Sequence, residues 1–303
     1  MRWFETPTFN FTGNRKIAYI VSLVLILASV GAIVAKGLQY GIDFKGGKEF
    51  VYKFDQPVEP TEIRGFLTDV FGSVPEVKRF GSDAEVLIRT DSPEDKQVLQ
   101  TQVEAAFRSE LAGNAFEVEK SDSIGPRIAE DLKTSAAQSI VYAIAIIFVY
   151  ILIRFRNWTF SLGAVAALIH DVVITLGIFT ILTDLVEFNL TIDQAIIAAF
   201  LTIVGYSLND TVVVFDRIRE NSRVHKGMRF EEMLNLSLND TLSRTVITSL
   251  TTLFVVTVLF IFGGEVLKGF SFALILGVVL GTYSSLFVAS QLVLELEGRT
   301  KKS

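Results

Sequence analysis

Six apolar runs, each close to the length a helix needs to cross a bilayer, constrain this chain more than any other feature of its 303 residues. About twenty mostly apolar residues suffice for one crossing, and a segment in lipid must satisfy its own backbone hydrogen bonds, which favours helices. The runs fall at residues 17–35, 135–153, 159–182, 193–216, 244–262 and 270–294. Half of all residues are apolar, too many for an ordinary water-soluble chain of this length. There is no cysteine, which excludes a disulfide scaffold, thiolate catalysis and a Cys-based metal site. The two histidines form no HExxH-type pair, so neither a metal nor a cofactor is expected.

The fourth run is interrupted by Tyr206, Ser207, Asn209 and Asp210. At 100° per residue, Thr202, Tyr206, Asn209, Asp210, Asp216 and Arg217 share about a third of the helix circumference, while Leu201, Val204, Leu208, Val212 and Phe215 lie outside it. This spacing predicts that Asp210 faces a bundle interior or a water-filled cavity. A charge at the bilayer centre costs roughly 2.5–3.5 kcal/mol on the insertion scale, so a chain that carries one usually uses it. The bland alternative is a solvated helix end, since Asp210 stands only about 9 Å from Asp216 along the axis.

Before the first run, Arg15 and Lys16 raise the possibility of a cleavable signal peptide, but a run of this length followed by further spans reads as a first membrane helix. From 36 to about 134 the composition is that of a soluble domain. GIDFKGG (41–47) suits a tight turn or close backbone approach and fits no phosphate-loop spacing. A strand is predicted over 48–54. Ile63, Phe66, Leu67, Val70 and Phe71 then mark a helix after Pro60. Strands 76–80 and 84–90 flank Gly81-Ser82-Asp83 as a hairpin. Ser92-Pro93 reads as the start of a second helix with Leu99, Val103, Ala106, Phe107 and Leu111 on one face, and 115–120 as a last strand. The order β-α-β-β-α-β is the ferredoxin-like arrangement. This domain is acidic, without a nucleophile–base pair or the basic, aromatic-interleaved patch that nucleic acid requires.

Gly125-Pro126 leads into an amphipathic helix feeding the second span, a short helix is expected around 230–238 ahead of the fifth span, and Gly277 and Gly281 form a GxxxG close-packing pattern in the sixth. Basic residues concentrate at the amino terminus, at Arg154 and Arg156, from Arg217 to Arg229, and at Arg299, Lys301 and Lys302; the turn carrying Asp184, Glu187 and Asp193 has none. These are alternate sides of the membrane, so six helices with both ends in the cytoplasm satisfy the positive-inside rule. The expected fold is therefore an α-helical polytopic membrane protein with six transmembrane helices and one extracytoplasmic α+β ferredoxin-like domain between helices 1 and 2. Its divisions are 1–35, 36–134, 135–298 and a tail at 299–303.

Three polar groups are candidates for coupling: Asp210, Arg244 and the pair His170-Asp171. Arg244 heads a stripe through Thr248, Thr251 and Thr252 that can face the bundle. An Asp and an Arg meeting across two helices can exchange partners as the carboxyl gains or loses a proton, because burial and a nearby cation act on its charged form in opposite senses. The plainer readings are a positive-inside anchor for Arg244 and a satisfied interhelical hydrogen bond for His170-Asp171.

GIDFKGG, SIGPRIAEDL (123–132), HDV (170–172), VGYSLNDTVVVFDRIRENSR (204–223), NDTLSRTVITSLTT (239–252) and GTYSSLFVAS (281–290) closely resemble the SecF family of bacterial protein-export subunits, in order and over nearly the whole chain. Lys45 stands where Thr is commoner. The resemblance implies membership of the resistance-nodulation-division superfamily and no enzymatic activity. It implies assembly with SecD into a pseudo-symmetric twelve-span unit in the cell inner membrane, and association with the SecYEG channel, the SecA motor, YajC and YidC. The clients it implies are unfolded preproteins, moved by the proton-motive force after the ATP-driven step. By motif position, Asp210 matches the family's proton-coupling aspartate and Arg244 its partner arginine, with His170, Asp171, Tyr206, Ser207, Asn209 and Thr248 as supporting polar residues. Three rivals remain: a lipid or drug half-transporter of the same superfamily, an aspartyl protease using Asp171 and Asp210 as a dyad, and a passive subunit that only stabilises SecD.

Overall fold

The computed structural model describes residues 8–300 except Asp184 and Glu187. Those two turn residues and the tail lysines Lys301 and Lys302 lie outside the described residues, as does the Arg299 side chain. Among the described residues, six helices are long and apolar enough to cross a membrane. They comprise α1 (Arg15–Lys36) and, after an α+β insertion, α5 (Pro126–Phe155), α6 (Trp158–Leu182), α7 (Gln194–Val224), α8 (Phe230–Phe262) and a final span. That last span is built from α9 (Glu265–Ser284), a π-helical turn (Ser285–Ala289) and α10 (Ser290–Thr300).

The insertion contains α2 (Ile42–Lys45), β1 (Gly47–Phe54), α3 (Pro60–Phe71), β2 (Glu76–Phe80), β3 (Ser82–Thr90), α4 (Lys96–Glu110) and β4 (Phe116–Ile124). The four strands form one antiparallel sheet in the order β2-β3-β1-β4, the ferredoxin-like order anticipated from the chain. Phe50, Tyr52 and Phe54 of β1 alternate onto one face and meet Ile63 and Leu67 of α3 and Leu99, Val103 and Phe107 of α4, all buried. Tyr52 and Phe107 stand edge to face with ring centroids 4.9 Å apart.

Several boundaries differ from the sequence reading. Phe80 pairs directly with Ser82, so Gly81 alone makes the hairpin turn at φ 88°, where a side chain would be strained. The cap of α4 is Asp95, whose Oδ1 accepts from the Gln97 amide at 2.8 Å, and not Ser92. Strand β4 runs on to Ile124 because Gly47 and Lys48 extend β1 to pair with it. The amphipathic leader and second span are one continuous helix, α5, and the expected short helix around 230–238 is the first part of α8.

GIDFKGG is the root of the α+β domain. It forms the single turn α2, then Gly46 and Gly47 adopt φ values of 77° and 119°. A Cβ on Gly47 would lie 2.8 Å from the Thr90 carbonyl oxygen, so the second glycine is required by close approach as well as by φ. The same root ties to the start of α7. The Gly41 amide donates to the Ile192 carbonyl at 2.9 Å, the Ile192 amide to Gln39 at 2.7 Å, and the Gln194 amide to Asp43 Oδ2 at 2.9 Å. Arg89 adds a bond from Nη2 to Thr191 Oγ1 at 3.2 Å.

Arg89 and Glu49, opposed across β1 and β3, are both buried and bonded Nε to Oε2 at 2.6 Å. Lys120 reaches the other Glu49 oxygen at 2.7 Å. Burial disfavours the ionised Glu49, but the Arg89 guanidinium and the Lys120 ammonium outweigh it and hold its carboxyl below the usual glutamate range. A lowered carboxyl pKa contributes stability that is complete above the unfolded value and is lost as pH falls through the folded one. Glu49→Gln is therefore expected to destabilise the detergent-solubilised protein at neutral pH by about 3 kcal/mol, since Arg89 loses its close charge partner and keeps only Glu76 at 4.0 Å. It should also flatten the loss of stability below about pH 4. Thermal unfolding across pH checks this; an unchanged acid dependence contradicts it.

Within the bundle, α6, α7 and the last span are the buried layer, while α1, α5 and α8 present most of their apolar surface outward. Glycines bring these helices close. A Cβ on Gly177 of α6 would stand 2.1 Å from the Ser29 Cβ of α1. A Cβ on Gly277 or Gly281, the GxxxG pair, would stand 2.2 Å from Ile203 or 2.9 Å from Ser207 of α7.

Candidate functional site

Two carboxylates are buried within the bundle, Asp171 on α6 and Asp210 on α7. Asp171 of α6 is fully buried. Its Oδ1 pairs with His170 Nδ1 at 2.9 Å, and its Oδ2 accepts from Ser207 Oγ at 2.8 Å and Ser284 Oγ at 2.7 Å. His170 Nε2 continues to Ser22 Oγ of α1 at 3.1 Å, and Ser22 pairs with the Tyr283 hydroxyl at 3.0 Å. Tyr283 in turn donates to the Ala18 carbonyl. One polar chain thus runs through four helices of an apolar bundle.

Asp210 is held differently. It is 3% exposed, and its Oδ2 accepts from Ser249 Oγ of α8 at a long 3.4 Å, while Ser249 pairs more closely with Thr282 Oγ1 at 2.6 Å. A carboxylate offers about four acceptor positions. Asp171 uses three of them on side-chain donors within the bundle. Asp210 has only the long Ser249 bond, with Thr248 and the Arg244 charge also near it, so it is the one of the two that can change partners without breaking a tight network.

The helical arc drawn from the sequence is only half inside. Asp210 is buried, but Thr202 and Asn209 are exposed and Tyr206 is half-buried with its hydroxyl unpartnered among the described residues. The buried stripe of α7 instead passes through Ile196, Ile203, Ser207, Asp210, Val214 and Ile218. The packing of α9 against Gly277 and Gly281 selects this stripe, so Asp210 sits at its border with an outward-facing polar arc. Arg244 is likewise exposed and forms no ion pair with Asp210 among the described residues; Thr248, which donates to the Arg244 carbonyl at 3.0 Å, is half-buried. On α8 the buried polar residues Ser237, Thr241, Thr245 and Ser249 form one stripe, whose last two members lie one position beyond the predicted one. Asp171 and Asp210 share no hydrogen bond, which leaves the protease dyad without geometry.

Ser22, Ser249, Thr282, Tyr283 and Ser284 belong to these networks and were not singled out individually from the sequence. The last three lie in GTYSSLFVAS, where the clustering of hydroxyls within an apolar run was the available signal.

The family model described as "Protein export membrane protein SecD/SecF, C-terminal" matches residues 102–299, and the "SecD/SecF GG Motif" model matches residues 31–58, which include the Gly46-Gly47 root. The chain is 56% identical to the protein translocase subunit SecF of Rhodothermus marinus over 299 residues, covering 99% of this chain and 96% of that one. It is 37% identical to the Pseudomonas aeruginosa protein translocase subunit SecF, covering 95% and 92%. A crystal structure of SecDF, a translocon-associated membrane protein from Thermus thermophilus, superposes with a TM-score of 0.86 at 36% identity. That match covers 98% of this chain but 40% of the longer SecDF chain. SecDF in a super-membrane-facing form gives a TM-score of 0.71 over 99% of this chain and 40% of that one.

Proposed function

The chain belongs to the SecD/SecF family of protein-export membrane proteins, and from that premise we propose that it works with SecD to couple the proton-motive force to preprotein translocation. It is a multi-pass subunit of the Sec protein translocase in the cytoplasmic membrane. The proposed step follows ATP-driven transport: proton passage drives or completes movement of the unfolded client. SecYEG, SecA, YajC and YidC are the partners this role calls for, and SecD is supported by the relative in which the two are one chain, SecDF.

The observation that carries this reading is the placement of Asp210 beside an uncovered polar arc. Thr202, Asn209 and Arg244 on the lipid-facing surface of a lone bundle are costly, and a second set of helices packed there would cover them. Arg244 then stands where it can approach and leave Asp210 as the two halves shift. His170, Asp171 and Ser207 hold the frame against which that movement occurs.

The orientation proposed puts both termini and the α7–α8 loop in the cytoplasm and residues 36–134 on the outer side. The chain lacks cysteine, so single cysteines report without background. Ser222→Cys is expected to react with an impermeant thiol reagent from the cytoplasmic side and Glu117→Cys only from the outer side. Asn209→Cys should be labelled in the chain alone and protected once SecD is co-expressed. Outer-side labelling of Ser222→Cys would overturn the six-span orientation. The functional test is export driven by an imposed proton gradient in vesicles, retained in the parent and lost in Asp210→Asn.

A further inference from the structure

Helix α5 is the least buried of the spans. At one end Phe155 stacks on Phe160 of α6, and at the other α5 packs on α2. Between them, at the end of the bundle that carries the α+β domain, lies a cleft of about 200 Å³. Leu176 and Phe200 wall it on the side of α6 and α7, Ala137 and Ile140 on the side of α5, and Tyr40 stands at its rim. Lys133 and Tyr40 bring the only side-chain polar groups to its lining. The Lys133 ammonium lies 5.0 Å from the Tyr40 ring centroid, one helical turn from Ala137.

This is the chemistry of a lipid seat. The space exceeds the ~30 Å³ that one water occupies in the liquid, yet its apolar walls offer water almost no hydrogen bonds. Ala137 lines the cleft and is still exposed, so the cleft opens at the surface of the bundle. Its level is that of the domain root and the first turns of α7, where a span meets the headgroup region. A lysine at that depth offers a point charge to a phosphate. We propose that the cleft holds one phospholipid, with an acyl chain between α5 and the α6–α7 wall and its phosphate on Lys133.

The test uses the complete SecD-containing complex, reconstituted with phosphatidylglycerol, washed in mild detergent and weighed by native mass spectrometry. The parent is expected to retain one phosphatidylglycerol per copy of this chain. Ala137→Trp fills the cleft and should lower retention more than about tenfold, since several buried methylenes are displaced. Ile146→Trp, on an outward-facing part of the same helix, should leave retention unchanged. Lys133→Gln should lower phosphatidylglycerol retention about fivefold while leaving retention of diacylglycerol, which has no phosphate, unaltered. If Ala137→Trp impairs assembly, Ala137→Leu supplies the same comparison. Undiminished retention in the filled variants overturns the proposal. So does a disulfide between Ala137→Cys and a cysteine on a SecD helix, which would make the occupant protein.

Discussion

Asp210→Asn is expected to reduce gradient-driven export to the level seen without a gradient, while the amount of SecD that co-purifies stays at the parent level. Asparagine keeps the shape of the side chain and an oxygen to accept from Ser249, but it carries no exchangeable carboxyl proton. Arg244→Ala removes the cation with which Asp210 is proposed to exchange partners and should be as severe. Arg244→Lys keeps the charge without the planar fork and should be partly active. If both groups serve one step, the double variant is no worse than the worse single one, because residues acting as a unit are not additive. Loss of SecD in the Asp210→Asn preparation would instead make the carboxylate structural.

Asp171→Ala is expected to fail earlier, in stability and assembly. It strands Ser207, Ser284 and His170 inside an apolar bundle, where interhelical hydrogen bonds average about 0.6 kcal/mol each. An orphaned buried donor adds about 1–3 kcal/mol. A total of roughly 2–5 kcal/mol is a large share of a protein's net stability. Asp171→Asn retains acceptor oxygen and should recover part of it. Thermal unfolding in detergent is the measurement; an unchanged transition accompanied by lost export would move Asp171 from the frame into the coupling step.

The contrast between these carboxylates was only partly legible in the sequence. Run length located all six spans because the bilayer fixes the apolar length a helix must offer. The ferredoxin-like order was equally plain, since Phe50, Tyr52 and Phe54 alternate while Ile63, Leu67 and Phe71 recur at helical spacing. Hydroxyls were harder to read. Thr175, Thr202, Thr248 and Thr252 donate to carbonyls four residues back in their own helices, whereas Ser207 and Ser284 reach across to Asp171. Composition does not separate the two behaviours. Nor does helical geometry say which face of α7 meets α9; the fit of Gly277 and Gly281 against Ile203 and Ser207 decides that, and it leaves Asn209 outside.

The coupling role of Asp210 turns on whether a proton there is spent on moving a client. A preprotein arrested midway through the channel in vesicles depleted of ATP isolates that step. An imposed proton gradient is expected to complete translocation in vesicles carrying the parent chain with SecD, and to leave the intermediate arrested in vesicles carrying Asp210→Asn. Completion at the same rate in the Asp210→Asn vesicles, or in parent vesicles without the gradient, would contradict that role.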